Sequence, residues 1–179
     1  CPADESVLLL TPGDFDVAGI AGVDERSGFA YFIASPDNPT QRYLYRACLD
    51  GTGGVERVTP PGQEGTHSYK ISADGLWAFH TFSRFGQPPV TELIRLPDHR
   101  VMRVLAGNSV LRENLAGLIP CRHEFFKVEA GNGIIVDAWC LKPPDFDPAR
   151  TYPLLIHVYG EPAASTVVDA WGGETHLWH

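Results

Sequence analysis

Few residues of this 179-residue chain combine type and spacing in a way that could do chemistry. Cys121 and His123 are the types that make a thiolate nucleophile and its base. Positions two apart on a strand or irregular segment are not thereby placed to exchange a proton, however, and packing accounts for them more cheaply. His176 and His179 stand three apart and could share a helix face, but no Cys, Asp or third His lies at zinc-ligand spacing, so a solvated chain end is the better account. Asp145, Asp147 and Asp169 carry the carboxylates calcium uses, yet no D-x-D-x-D-G loop contains them, and Asp147-Pro148 is turn chemistry. A serine raised on a sharp strand-to-helix turn needs G-x-S-x-G. The nearest stretch, Gly107-Asn108-Ser109-Val110-Leu111, lacks the second Gly. Tyr159 closes an apolar run and is, by residue type alone, a strand-end aromatic of the kind that most often packs. No metal site and no cofactor are expected.

Composition narrows the classes further. Fourteen Lys and Arg against 22 Asp and Glu leave a net charge of -8, which repels nucleic acid and anionic lipid, and no dense basic cluster offsets it. No nucleic-acid partner is expected, and Trp77, Phe79 and Phe82 read as interior packing between repeats rather than a base-stacking surface. No apolar run approaches the roughly 20 residues of a membrane-spanning helix, so no membrane segment is expected. Cys1, Cys48, Cys121 and Cys140 are too few and too scattered for a disulfide framework and contain no C-x-x-C. No basic region followed by an apolar stretch opens the chain, and its start at Cys1 reads as a fragment boundary. The compartment, cytoplasmic or periplasmic and secreted, stays open. Asn38-Pro39-Thr40 carries the Pro that disqualifies it as a glycosylation acceptor.

The elements that must position any site come from a repeat. Thr11-Pro12 returns as Thr59-Pro60 after 48 residues, Gly28 before an aromatic run as Gly75 after 47, Leu44-Tyr45-Arg46 as Leu93-Ile94-Arg95 after 49, and Arg57-Val58 as Arg103-Val104 after 46. Four landmarks in one order at nearly one spacing define a repeat of two copies. Eighteen Gly and 15 Pro mean many turns between short strands. Within the first copy the punctuation predicts strands near 16–21, 28–35, 41–48 and 55–58, and within the second near 67–72, 76–83, 90–95 and 101–105. Asp50-Gly51 and Ser72-Ala73-Asp74-Gly75 are the strongest turn signals. Four strands per repeat of this length is one blade of a β-propeller, with 7–10 as the outgoing strand of an earlier blade. Two blades cannot close a ring, which makes the chain a piece of something longer. The same eight strands could also form a small two-sheet sandwich.

After about Asn108 the rhythm changes. Residues 109–118 predict a short helical or irregular connector ended by Pro120. A hairpin is predicted at 124–141, turning at Asn132-Gly133. Pro143-Pro144 and Asp145-Phe146-Asp147-Pro148 make a rigid loop. Tyr152-Pro153-Leu154-Leu155-Ile156-His157-Val158 then has the continuous apolar character of a strand buried on both faces of an α/β sheet.

The run Pro153-Leu154-Leu155-Ile156-His157-Val158-Tyr159-Gly160-Glu161-Pro162, the preceding Lys142-Pro143-Pro144-Asp145-Phe146-Asp147 loop and the blade-like Gly22-Val23-Asp24-Glu25 and Gln41-Arg42-Tyr43-Leu44-Tyr45-Arg46 stretches resemble the dipeptidyl peptidase IV branch of the prolyl oligopeptidase serine peptidases. The resemblance runs from about residue 7 onward. It implies a mainly β chain: the last blades of a β-propeller (1–108), a linker (109–123) and the first strands of an α/β-hydrolase peptidase domain, truncated (124–179).

The same resemblance implies removal of amino-terminal dipeptides, with Pro or Ala in second place, through an acyl-enzyme whose Ser, Asp and His lie beyond residue 179. These residues alone are then expected to be inactive. Tyr159 takes the position of the family's oxyanion-hole tyrosine. A phenol suits that task, because it donates rather than ionises at neutral pH. Where the familiar members show Tyr-x-Gly-Pro, this chain has Tyr159-Gly160-Glu161-Pro162, which leaves Glu161 without a role. The implied partners are a peptide substrate, the remainder of the parent chain and a second copy in a homodimer. The rival reading, from another class, is a non-catalytic propeller-type binding or scaffold module in which Tyr159 is structural.

Overall fold

The computed structural model describes residues 7–118, 122–159 and 165–173. Val17–Asp24 (β1), Phe29–Ala34 (β2), Tyr43–Cys48 (β3) and Val55–Arg57 (β4) form one antiparallel sheet in chain order. Thr66–Ile71 (β5), Trp77–Arg84 (β6), Gln87–Arg95 (β7) and Arg100–Ala106 (β8) form a second sheet of the same order. Each of the eight predicted strands has its counterpart. The chief departure at a strand start is β7, which opens three residues early because Pro88 and Pro89, unable to donate to a ladder, fall where the β6–β7 register slips between Phe82 and Arg84.

Turn chemistry explains the sharp corners. Between β1 and β2 the Asp24 carboxylate accepts from the amides of Arg26 and Ser27, both at 3.1 Å. Between β5 and β6 the Gly75 amide donates to the Ser72 carbonyl at 2.9 Å and the Leu76 amide to the Asp74 carboxylate at 3.1 Å. Gly75 has φ +69°, and a Cβ there would sit 2.5 Å from an Asp24 carboxylate oxygen. Left-handed backbone and close approach both demand glycine.

Strand alternation sorts the core. Tyr31 and Leu44 of the first sheet pack with Ala78, Ile94 and Leu96 from the second in one buried cluster. Phe32, Ala34, Tyr43, Tyr45 and Ala47, on the other face of the first sheet, pack with Leu10 and Phe15. β2 and β3 are therefore buried on both faces. Residues 7–10, expected as a strand, join no ladder. Val7 and Leu9 are exposed, and the segment contributes Leu10 as a cover. Trp77 and Phe79, at 38% and 53% exposed, lie on the face of β6 turned away from the first sheet, because strand alternation turns Ala78 and His80 toward it. Phe82 does pack, its ring stacked on those of His67 and His80.

The connector is helical, Ser109–Ala116 (α1), and none of its residues is buried. The predicted hairpin is present as Arg122–Glu129 (β9) and Ile135–Lys142 (β10), paired without a slip from Ile135↔Glu129 to Lys142↔Arg122. Its turn closes with the Ile134 amide on the Gly131 carbonyl at 3.0 Å. Asn132 and Gly133 have φ of 53° and 76°, the two positive values a type I′ turn requires. Residues 151–159, expected as a buried hydrolase strand, pair with no strand among the described residues, and Leu154, Leu155, Ile156 and Val158 are 82%, 87%, 71% and 81% exposed. A strand buried on both faces owes both its ladder and its cover to neighbouring strands. Among the described residues none lies beside this run. The fold is mainly β, built of antiparallel sheets.

Candidate functional site

The approach to Tyr159 is held by local contacts. The Phe146 ring stacks on Tyr152 with centroids 5.2 Å apart, and the Tyr152 hydroxyl accepts from the Asp147 amide at 3.0 Å. The Asp147 carboxylate accepts from the Ala149 amide at 2.9 Å. Asp147 is thus occupied in turn formation, as its sequence context implies. Tyr159 itself ends the run half exposed, at 48%. Glu161, Cys121, His176 and His179 lie outside the described residues.

A second anchor lies beyond Tyr159. Asp169 is 5% exposed, and every one of its polar groups is engaged. One carboxylate oxygen accepts from the Gln41 side-chain amide at 2.9 Å and the other from the Phe85 backbone amide at 2.8 Å. Its own amide donates to the Thr40 carbonyl at 2.7 Å, and its carbonyl accepts from the Thr66 hydroxyl at 2.9 Å. The Arg84 guanidinium stands 4.0 Å away, and two residues on, the Trp171 amide donates to the Ser83 hydroxyl at 3.1 Å. The hydrogen-bond partners of Asp169 come from the β2–β3 turn, the start of β5 and the β6–β7 turn. The oxygens that calcium would need are filled by protein donors.

Phe85, whose amide Asp169 caps, carries its ring to the hairpin. It lies 4.4 Å from His123, 5.3 Å from Trp139 and edge-on to Phe125 at 6.2 Å. His123 is accordingly a packing residue, as expected. The β6–β7 turn is therefore the place where the second sheet, the hairpin and the segment 165–173 meet.

The structure also assembles a buried histidine row that no spacing motif in the sequence marks. His67 Nε2 contacts the Gln63 carbonyl at 3.0 Å, His67 Nδ1 faces His80 Nε2 at 2.9 Å, and His80 Nδ1 faces the Glu92 carboxyl at 3.3 Å. Nearby, Tyr69 joins His99 Nε2 and the Thr59 hydroxyl, each at 2.8 Å. The donor order is forced from one end. A carbonyl can only accept, so His67 Nε2 carries a proton and its Nδ1 accepts from His80 Nε2–H. His80 Nδ1 and the Glu92 carboxyl then share one proton, carried by the carboxyl when the ring is neutral and by the ring when Glu92 is ionised. Burial disfavours charge along the row and keeps the histidines neutral. It lowers His67 to about 4 and His80 to about 3, and lowers His99 and raises Glu92 from their ordinary values. The signal in the sequence was register: His80 stands directly opposite Glu92 and Tyr69 opposite His80. At 0% exposure His80 cannot meet a substrate, so the row joins sheets rather than performing catalysis. Among the described residues no group of three or more His, Cys, Asp or Glu is placed to hold a metal ion, and no helix is long and apolar enough to cross a membrane.

Comparison with known proteins places this geometry. Residues 3–89 match the family described as the dipeptidyl peptidase IV N-terminal region. The chain is 30% identical over 168 residues to the probable dipeptidyl-aminopeptidase B of Emericella nidulans, a match covering 89% of this chain and 18% of that protein. It is 28% identical over 166 residues to dipeptidyl peptidase 4 of Arthroderma otae, covering 92% of this chain and 21% of that one. The crystal structure of Porphyromonas gingivalis dipeptidyl peptidase 4 superposes with a TM-score of 0.83 at 28% identity, over 94% of this chain and 24% of that one. The chain belongs to the dipeptidyl peptidase IV branch of the prolyl oligopeptidase family. It spans about a fifth of the length of the curated relatives it matches.

Proposed function

We propose that these residues are part of a serine exopeptidase that releases amino-terminal dipeptides, Xaa-Pro or Xaa-Ala, through an acyl-enzyme, with Tyr159 as an oxyanion donor. The observation that carries the reading is the superposition on a dipeptidyl peptidase 4 over 94% of the chain. In this reading residues 1–108 are the last blades of a β-propeller, 109–123 a linker and 124–179 the opening of an α/β-hydrolase domain whose Ser-Asp-His triad lies outside these residues. The 179 residues alone are inactive. The partners are a peptide substrate, the rest of the parent chain and, in a homodimer, a second copy.

The arrangement of the repeat supports blades over a two-sheet sandwich. Leu44 is buried against the second sheet, whereas Leu93, its counterpart 49 residues on, lies on the face opposite Ile94, turned away from the first. Equivalent residues thus point the same way along the stack. Sheets related in series leave a further face to be covered, here that of Phe79 and Leu93; sheets related face to face do not.

Acyl transfer places negative charge on the former carbonyl oxygen, and a donor aimed at that oxygen is worth roughly 10²–10³ in kcat. The half-exposed phenol of Tyr159 has the chemistry for it. The test is hydrolysis of a chromogenic dipeptide substrate ending in Pro by the whole polypeptide, with and without a serine-directed inhibitor, and again with Tyr159→Phe. Inhibitor-sensitive release and a kcat lowered by about 10²-fold or more with folding intact are expected. No release by the whole polypeptide would favour the non-catalytic module, and an unchanged kcat in the variant would remove Tyr159 from the site.

A further inference from the structure

We infer that the outer face of the second sheet docks against an acidic sheet face of the parent polypeptide, from outside these 179 residues. That face sets carboxylates opposite Lys70, Arg100 and Arg103 around an apolar centre of Phe79 and Leu93. The inference rests on the reading of residues 1–108 as blades stacked in series.

Register brings these side chains together. Residues directly opposite one another in an antiparallel ladder share a face of the sheet. Lys70 stands opposite Phe79, Phe79 opposite Leu93 and Leu93 opposite Arg103, one row across all four strands. Trp77, Arg95 and Arg100 form the next row. Arg100 and Arg103 would lie on opposite faces of a regular strand. The register shift between Leu93 and Ile94 leaves Met102 without a ladder partner and returns both arginines to this face. Phe79 is half exposed there, and Lys70, Arg100 and Arg103 are exposed beside it. Glu92 is the sole acid in the four strands, and it lies on the inner face opposite His80. At the rim, Asp98 is engaged by Arg95, and Asp74 by the turn that it builds. No ion pair among the described residues includes Lys70, Arg100 or Arg103.

The first sheet shows what is missing. Arg46, the repeat counterpart of Arg95 and on the same face as Leu44, stands opposite Glu56 and pairs with it at 2.7 Å. On the second sheet Arg95 stands opposite Arg100. A cross-strand pair of opposite charges is replaced by a pair of like charges, which is unfavourable unless an anion comes from elsewhere. The first sheet thus neutralises its own face, whereas the second leaves its face cationic in a chain of net charge -8. Series stacking requires that this face be covered, and an apolar cover would bury three cations without partners. The cover is therefore acidic. A second copy docked through the same face would set cation against cation. The rest of the parent has the length to supply the cover, since these residues span about a fifth of the curated relatives they match. The row also sets a spacing. With strands about 4.8 Å apart, Lys70 and Arg103 are roughly 14 Å apart, so the covering face carries at least two carboxylates at about that separation.

The test is zero-length coupling of the whole polypeptide with a water-soluble carbodiimide, which joins a lysine amine to a carboxylate in contact with it. An equal mixture of unlabelled and heavy-isotope-labelled protein is used, and the products are read by peptide mass spectrometry. Lys127 with Asp137 and Lys142 with Glu124, ion pairs at 3.0 and 2.6 Å, are internal controls. Lys70 should couple to an Asp or Glu outside these residues and within one polypeptide, without mixed-isotope products. The Arg103→Lys variant, which keeps the charge, should add a coupling at position 103 to a different carboxylate of the same covering face. Coupling at either position to such a residue supports the inference. Coupling at neither while the controls couple overturns it. Coupling confined to acids within these residues also overturns it, as does coupling confined to mixed-isotope products, which would make the face an interface between copies. Release of dipeptide from a chromogenic Xaa-Pro substrate is measured on the same preparation. Release without coupling removes the acidic cover and keeps the peptidase reading, and coupling without release does the reverse.

Discussion

Two regions of this chain are equally apolar in sequence and opposite in burial. Leu44 and Ile94, at the centre of the stacked sheets, are 0% exposed, whereas Leu154 and Leu155 are 82% and 87% exposed. Residues 17–106 bring their ladder partners with them, since within each sheet every strand pairs with the next in sequence. Residues 152–159 have no such neighbour among the described residues. Burial is a property of a strand and its partners together, and where the partners are local in sequence it can be read off the chain.

The largest expected effect tests the first region. Leu44→Ala or Ile94→Ala removes a fully buried side chain from the cluster that joins the sheets and should cost about 2–5 kcal/mol in denaturant unfolding. A loss below about 1 kcal/mol at both positions would mean that the stacking seen here is not the source of stability.

Acid should act on the same interface. His67 and His80, with folded values of about 4 and about 3, and the lowered His99 take up protons on unfolding as the pH falls below the ordinary histidine value. Their contribution is complete above about pH 6.5 and is lost as the pH falls toward 4. Glu92 opposes them. Its raised folded value favours the folded state at low pH and penalises it as the pH rises above the ordinary carboxylate range. Each group changes the slope by about 1.4 kcal/mol per pH unit in its own window, so the histidines outnumber the acid and stability should fall on acidification from pH 6.5 to 4. Glu92→Gln, which keeps an N–H donor for His80, should steepen that fall. Unfolding free energies independent of pH across this range would refute the neutral row.

Gly75→Ala is the next step down. Its strained φ and the 2.5 Å approach to Asp24 should together cost about 1–2 kcal/mol. Gly28→Ala, also at positive φ but with open space around it, should cost about 1 kcal/mol, and the difference between the two isolates the close approach.

Legibility follows the same division. The strands β1–β8 were readable because Gly75, Asp50-Gly51 and the repeated Leu44-Tyr45-Arg46 and Leu93-Ile94-Arg95 mark local turns and faces. The β9–β10 hairpin was readable because Asn132-Gly133 specifies its turn almost alone. The Asp169 node was not, since its partners Gln41 and Phe85 are 128 and 84 residues away and no spacing rule joins them. The histidine row falls between these cases: His67, Tyr69, His80 and Glu92 are scattered in sequence, but correct pairing of β5, β6 and β7 lines them up. Trp77 and Phe79 mark the limit of such reading, because hydrophobic character gives the face of a strand and no described residues lie against that face.

The smallest expected effect is the most informative about the second region. Leu154→Ala and Leu155→Ala replace side chains that are more than four-fifths exposed, and in the 179-residue chain each should change unfolding free energy by less than about 0.5 kcal/mol. If residues 152–158 form a strand buried in an α/β sheet within the whole polypeptide, the same substitutions there should cost about 2–5 kcal/mol. The measurement is therefore the same pair of variants made in both lengths of chain. A cost that appears only in the longer one would locate the missing ladder partners outside these residues. A cost near zero in both would mean that the run is solvent-exposed in the working protein, and would remove the framework on which the placement of Tyr159 depends.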